Sequence, residues 1–370
     1  MREILILGGY GNFGKRIAHA LVISGIPVII AGRNLEKARA LAKELGALAK
    51  AEALDIENNF ASALARLKPS VVINTCGPFQ LKDYQVAEKC IAAGAHYIDL
   101  ADGRSFVSGI SALDEKAKTA GVWVISGAST VPGLSSAVLE HYKHEFREID
   151  SLKYGISPGQ KAERGLATTK GILTYVGKPL QAVHFDALPR YGWQDVYQQK
   201  YPVLGKRWMA NCDIPDLDIF PVQYGIRNIR FSAGMEHILL HLGIWALSWL
   251  VRFGLPLKLE NHAEFLLRAS HWFDHFGSDA GGMHMVMRGK NKHDQSFERR
   301  WFIIAKNGDG PQIPCVPTII LARKLALNDL SGAGATPCVG LVTLAEYLAE
   351  LLPFSIATYE ESDLLPSGSK

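Results

Sequence analysis

A chain of 370 residues exceeds the size at which a single hydrophobic core keeps growing, so its length predicts two domains. With 48% hydrophobic and 21% charged residues and a net charge of only +4, its composition excludes disordered and fibrous classes, and the mixing of Lys and Arg with Asp and Glu argues against a nucleic-acid partner. The five cysteines (Cys76, Cys90, Cys212, Cys315 and Cys338) are odd in number, widely spaced and without a CxxC pair, which argues against a disulfide framework or a zinc site and fits a reducing cytoplasm.

The first 125 residues alternate short β-branched runs with longer helical patterns, the signature of βαβ units and a parallel sheet. Strands are predicted over residues 4–7, 27–31, 71–74, 96–100 and 123–125, with a weaker one at 51–54, and helices over 14–23, 35–45, 84–93 and 107–120. The run at 4–7 is too short for a signal-peptide core and leads straight into a glycine loop, so the N-terminus reads as structure rather than address. After Gly127 the pattern changes, with Gly155, Pro158, Gly159, Gly165, Gly171 and Gly177 punctuating a region without a βαβ repeat. The expected division is therefore a βαβ domain over 1–127, a second domain over 128–315, and C-terminal helices over 316–370 that return to the first domain.

Within the second region, strand-like runs at 283–287 and 300–305 predict a mixed or antiparallel sheet covered by helices. The most apolar stretch, 238–251, spans about 14 residues against the ~20 a bilayer requires and contains His241, so it reads as a buried or interface helix and not an integral membrane segment. Helical patterns follow at 316–327 and 341–352, and the polar tail beyond Pro353 is expected to fray. The fold class that results is α/β, an N-terminal doubly wound Rossmann domain plus a second α/β or α+β domain with a mixed sheet.

The loop Gly9-Tyr10-Gly11-Asn12-Phe13-Gly14 has GxGxxG spacing after an apolar strand and before an amphipathic helix. In that setting the glycines permit a tight turn, close backbone approach to a pyrophosphate, and close packing of helix on strand. The helix N-terminus then directs unpaired N–H groups at the phosphates. At the tip of the second strand, Ala31-Gly32-Arg33-Asn34 holds no carboxylate for a ribose 2′-hydroxyl, whereas Arg33, with Lys37 one turn later, offers charge to a 2′-phosphate. NADP is the cofactor this pattern favours. Asp55 follows the third strand where it can meet the adenine amine, and Asn74-Thr75-Cys76-Gly77-Pro78 ends the fourth where a ribose and nicotinamide would lie.

Taken together, GGYGNFG, VVINTCGPF, CIAAGAHYIDLAD and GASTVPGL resemble the saccharopine dehydrogenase-like, NADP-binding oxidoreductases, and the resemblance runs nearly the whole chain. Farther on, SPGQKAERGLAT, FGSDAGGM, GPQIPCVPTIILARKL and GATPCVGLVTL are similar to a branch of that superfamily distinct from its named enzymes. The resemblance implies a Rossmann domain joined to an α/β domain with a mixed sheet, an active site in the cleft, and a homodimer formed through the second domain. It also implies hydride transfer between NADP and, in the name-giving enzymes, a secondary amine or imine joining lysine to a dicarboxylic acid. This chain departs from them at Thr130-Val131-Pro132-Gly133, where their turn reads Leu-Asp-Pro-Gly with an Asp that contacts substrate. Without that carboxylate an ammonium-bearing substrate loses its partner, which argues against saccharopine.

Hydride transfer is the nicotinamide's chemistry, so the protein must orient substrate, exclude water and handle one proton. Tyr84, Asp99, Asp102 and Arg104 cluster around the ends of the fourth and fifth strands; Tyr84 and Asp102 are the catalytic candidates and Arg104 a substrate ligand. In the second domain Arg164, near Lys170 and Tyr175, is the candidate for an anionic substrate group, and of Arg299 and Arg300 at most one faces the cleft. His237 and His241 lack the Glu of HExxH, and neither GxSxG nor a Walker lysine occurs, so metal, acyl-transfer and phosphoryl-transfer chemistries lack support. The expected function is an NADP-dependent oxidoreductase of a small amino, imino or carbonyl substrate. A non-catalytic NADP(H)-sensing protein and a membrane-peripheral, lipid-related reductase using 238–251 as an anchor remain as alternatives.

Overall fold

In a computed structural model, which describes residues 3–80, 82–181 and 189–364, the first part of the chain alternates strand and helix. In order come β1 (Ile4–Leu7), α1 (Asn12–Ile23), β2 (Val28–Gly32), α2 (Leu35–Leu45), β3 (Ala49–Ala53), α3 (Phe60–Leu67), β4 (Val71–Asn74), α4 (Gln85–Ala92), β5 (His96–Asp99), α5 (Arg104–Ser108), α6 (Asp114–Ala120), β6 (Trp123–Ser126) and α7 (Ser135–Tyr142). The middle of the chain holds β7 (Phe146–Ser157), α8 (Leu166–Leu173), β8 (Tyr197–Tyr201), β9 (Gly205–Asn211), α9 (Asp216–Tyr224), β10 (Asn228–Met235), α10 (Ile238–Arg252) and α11 (Ala263–His271). Last are β11 (Gly281–Asn291), β12 (Ser296–Ala305), α12 (Val316–Ala326), β13 (Gly334–Pro337), α13 (Leu344–Leu351) and β14 (Ile356–Leu364). The chain divides into two compact units, residues 1–138 with 311–351, and residues 139–310 with 352–370.

The first unit is built on a parallel sheet of order β13-β6-β5-β4-β1-β2-β3. Every residue of β1 and β4 is buried, which is why both read as unbroken apolar runs rather than as alternations. Helix α1 buries Gly14, Ile17, Ala18 and Leu21, one stripe at i, i+3, i+4 and i+7. The expected helix at 107–120 is broken into α5 and α6 by the turn Gly109–Leu113, which buries Ile110 and Leu113. At the sheet edge, β13 tolerates Pro337 because an edge strand can lack one N–H.

The second unit contains a mixed sheet of order β14-β12-β11-β7-β10-β9-β8, in which β7 and β10 run parallel and the other neighbours antiparallel. The strands expected at 283–287 and 300–305 are parts of β11 and β12. Tyr154 of β7 packs on Phe231 of β10 and Phe220 of α9, and its hydroxyl donates to Asp216 at 2.9 Å. Of the tail expected to fray, Ile356–Leu364 instead forms β14 on the edge of β12, and residues 365–370 lie outside the described residues. Cross-strand charge explains the pairing of so polar a strand: Arg300 lies opposite Glu361 and reaches its carboxylate at 3.2 Å. Of residues 316–370, expected as helices returning to the first domain, α12, β13 and α13 lie in the first unit and β14 in the second.

Helix α10 appears where the apolar stretch predicts it, yet it is not a buried helix. His241 and Ser248 face inward, while Leu239 is 62% exposed and Phe253, just past the helix end, 75%. Among the described residues no helix is long and apolar enough to cross a membrane.

Candidate dinucleotide-binding site

The parallel strands of the first unit end at one level, with Leu7 opposite Ala31 and Asn74, and Asn74 opposite Asp99. The loops that follow them therefore gather on one edge. The chain order reverses between β1 and β4, and the crevice outside such a switch point is where open α/β sheets bind ligands.

At this crevice the glycine loop is packed too tightly for side chains. A Cβ on Gly14 would stand 2.4 Å from the Gly8 carbonyl oxygen, and one on Gly11 would stand 3.1 Å from the same atom. The residue preceding α1, Gly11, supplies no side-chain cap, and the first turn carries no acid. Helix α1 thus presents its leading N–H groups uncapped by a side chain, as a pyrophosphate requires. Asn12 and Phe13 lie in that first turn, where Arg16 donates to the carbonyl and side-chain oxygens of Asn12, and the Phe13 carbonyl faces the Cys315 thiol at 3.8 Å. Sequence reasoning missed Arg16. The available signal was the basic pair Lys15-Arg16 directly after the glycine loop, with no acid in the first turn of the helix to balance it.

At the tip of β2, the Asn34 N–H donates to Tyr10 Oη at 3.0 Å, and the Asn34 side chain caps α2 by accepting from Lys37 N at 3.0 Å. Arg33 is exposed, and its charge is felt at both Asp55 and the Cys76 thiol, so it stands beside the ends of β3 and β4. Asp55 accepts from Glu57 N and Asn58 Nδ2, and these bonds, with a smaller contribution from Arg33, hold its carboxyl below the usual range. Its oxygens are thereby engaged in the local turn. Asn74 accepts from Cys76 N and donates to Tyr97 Oη, while Thr75 Oγ1 donates to the Leu7 carbonyl at 2.8 Å. Thr75 thus ties the exit of β4 to β1 and Asn74 ties it to β5, ahead of Gly77 and Pro78. Burial pushes the Cys76 thiol up to about 11, so it stays protonated at neutral pH.

The glycine loop, the switch-point crevice and the strand order are those of a dinucleotide domain, and residues 4–125 match the model of the saccharopine dehydrogenase NADP binding domain. That match covers about a third of the chain and lies wholly within the first unit. Among solved structures, the apo saccharopine dehydrogenase (L-Glu forming) of Saccharomyces cerevisiae is similar at a TM-score of 0.68 and 14% identity, covering 98% of this chain and 100% of that one. The amine dehydrogenase of Mycobacterium smegmatis is similar at a TM-score of 0.48 and 12% identity over 91% of this chain and 94% of that one. At such identities the likeness is one of fold. No curated protein matches the sequence.

In the first unit, the loop after β5 carries the remaining candidates. Asp102 accepts from Gln80 Nε2 at 3.1 Å, and burial raises its carboxyl above the ordinary range. Tyr84, at the start of α4, donates its hydroxyl to the Phe106 carbonyl at 2.8 Å and packs its ring on Phe106, and burial raises its phenol. Arg104 opens α5 and is buried. The Thr130–Leu134 turn buries Val131, and Gly133 packs on Pro317, where a Cβ would stand 2.7 Å from the ring. Asp99 is fully buried at the end of β5 and gathers Ala101 N, Ser126 Oγ and Gly127 N on one oxygen.

The candidates in the second unit are held by carboxylates. Arg164 pairs with Asp274 and lies 2.7 Å from His271 Nδ1. Arg299 forms a two-pronged pair with Glu145 at 2.9 and 2.6 Å, and Arg300 pairs with Glu298 and Glu361. Tyr175 Oη lies 2.7 Å from Cys212 Sγ, and Lys170 lies in the last turn of α8. Among the described residues no cluster of His, Cys, Asp and Glu could hold a metal ion.

Proposed function

We propose that the chain is an NADP-dependent oxidoreductase acting on a small amino, imino or carbonyl substrate. The observation that carries this reading is the carboxylate-free tip of β2, where exposed Arg33 stands beside the glycine loop and the crevice. The uncapped N-terminus of α1 and the close-packed Gly9, Gly11 and Gly14 fit the pyrophosphate; Arg33, Asn34 and Lys37 surround the position for the adenosine ribose. When bound, the nicotinamide would supply the hydride donor or acceptor. The chain's own task is then to orient substrate and move a proton. Asp102 suits the proton step, because burial keeps its carboxyl partly protonated at higher pH than an exposed one. The Tyr84 proton is committed to the Phe106 carbonyl, which favours Asp102 over Tyr84. Buried Val131, in place of a substrate-facing carboxylate, supports a substrate other than saccharopine.

Arg33→Ala tests the cofactor assignment. Charge-assisted hydrogen bonds contribute about 1.5–3 kcal/mol, so NADPH affinity is expected to fall roughly tenfold or more while NADH affinity holds. Equal loss for both cofactors in titration would reject the 2′-phosphate reading.

A second reading, association with a membrane surface, is favoured by the apolar face that α10 and the segments after it expose: Leu239, Leu250, Phe253, Phe265, Trp272 and Phe276. Under this reading the protein floats with zwitterionic liposomes, and a Trp272→Ser/Phe276→Ser variant loses most of the bound fraction. Protein that stays at the bottom of the gradient rules it out.

A further inference from the structure

The cofactor-binding tip of β2 contains a contact that the glycine spacing alone does not require. Tyr10, the second residue of the loop, lays its ring over Gly32, the last residue of β2. A Cβ built on Gly32 would stand 2.5 Å from Tyr10 Cε1 and 2.8 Å from both Cζ and Oη. The hydroxyl of the same ring accepts the Asn34 N–H at 3.0 Å, which ties the loop to the first residue before α2.

We propose that Tyr10 is a specificity-determining residue for the cofactor, its hydroxyl donating to the 2′-phosphate and its ring denying position 32 to the carboxylate that would hold an unphosphorylated ribose. The proposal rests on the reading of the chain as NADP-dependent and extends it to a residue that carries no charge.

The chemistry of the phenol gives the direction. A tyrosine hydroxyl has one O–H to donate and two lone pairs to accept with. Asn34 N–H occupies the accepting side, and the O–H remains for a partner that accepts. A phosphate only accepts, whereas a ribose hydroxyl also needs somewhere to donate. The residue that accepts from a ribose 2′-hydroxyl in dinucleotide domains is an Asp or Glu at the end of the second strand. Here that position is Gly32, and any side chain on it meets the Tyr10 ring. Arg33, next in sequence, adds the cation that a 2′-phosphate would need. Tyr10 thus acts twice, by offering a donor to the phosphate and by filling the space that the acceptor on which NAD depends would take, so that a side chain there displaces the donor.

The test is titration of the full chain with NADPH and with NADH, comparing wild type, Tyr10→Phe, Gly32→Ala and Arg33→Ala. Loss of one hydrogen bond to a charged group predicts about tenfold weaker NADPH binding by Tyr10→Phe, with NADH affinity unchanged. Gly32→Ala is expected to reproduce that selective loss with Tyr10 still present, because the new methyl forces the ring aside, and Tyr10→Phe/Gly32→Ala is expected to be no worse than Tyr10→Phe alone. An unchanged NADPH to NADH ratio in Tyr10→Phe, with the ratio collapsed in Arg33→Ala, overturns the role of Tyr10 and leaves the cofactor reading standing. An unchanged ratio in both variants removes the cofactor reading and the proposal together. Equal weakening of both cofactors by Tyr10→Phe makes Tyr10 a brace for the loop and overturns the proposal as well.

Discussion

Gly14→Ala is expected to abolish measurable dinucleotide binding and to lower the stability of the first unit by about 1–3 kcal/mol, the usual range for overpacking a filled site. Two effects oppose each other at this position. Position 14 lies inside α1, where Ala is intrinsically favoured over Gly by about 1 kcal/mol. The added methyl, however, would stand 2.4 Å from the Gly8 carbonyl oxygen, 2.7 Å from Gly9 Cα and 2.9 Å from the Gly9 carbonyl carbon, all backbone atoms that no rotamer can move. The clash exceeds the propensity gain, and relief requires α1 to shift away from the loop that it completes. Gly11→Ala provides the graded comparison. Its nearest atom would be the same carbonyl oxygen at 3.1 Å, so the fold is expected to accommodate it, whereas the methyl obstructs approach of the pyrophosphate. Thermal unfolding and NADPH titration of both variants check this. A Gly14→Ala protein that binds NADPH as wild type does would remove the glycine loop from the site.

The features legible in the sequence were those set by neighbours within a few positions. The bounds of β1 and β4 follow from their apolar runs, and those of α2 from the Asn34 cap and from Gly46, which adopts φ +83 just past its end. The GxGxxG loop is equally local. Where the deciding partner lies far along the chain, the reading fell short. Helix α3, absent from the elements the periodicity predicts, is fixed by burying Phe60, Ala63 and Leu64 in the core of the sheet's helical layer. Four residues, Gly334–Pro337, are too few for any period, and only pairing with β6 makes them a strand. The polar tail becomes β14 because β12 offers it Arg300. The same limit held at the site: Arg33 and the glycines were legible, but the packing of Tyr10 on Gly32 joins residues 22 positions apart. Arg164 had the residue type of an anion ligand, and only the fold brings Asp274 to it.

Asp99 is the second position at which a large effect is expected, and pH separates its two contributions. Burial pushes its carboxyl up to about 6 against burial-opposing hydrogen bonds from Gly127 N, Ala101 N and Ser126 Oγ, while in the unfolded chain it titrates near 3.8. The folded state therefore holds the proton more tightly. The stability this contributes is fully present below about pH 3.8 and is lost as pH rises through about 6, a difference of roughly 3 kcal/mol. Asp99→Asn is expected to abolish that pH-dependent loss, because its amide oxygen still accepts the three bonds and carries no charge to desolvate. Asp99→Ala has the opposite consequence at every pH. It leaves three buried donors without an acceptor, at about 1–3 kcal/mol each, and frees the loops at Ala101 and Gly127 on the edge where the cofactor is proposed to bind. Urea unfolding of the three proteins between pH 4 and pH 8 distinguishes these outcomes. Wild type and Asp99→Asn following the same pH curve would mean that Asp99 keeps an ordinary carboxylate pKa in the fold; an Asp99→Ala protein as stable as wild type would mean that the three bonds do not hold the edge together.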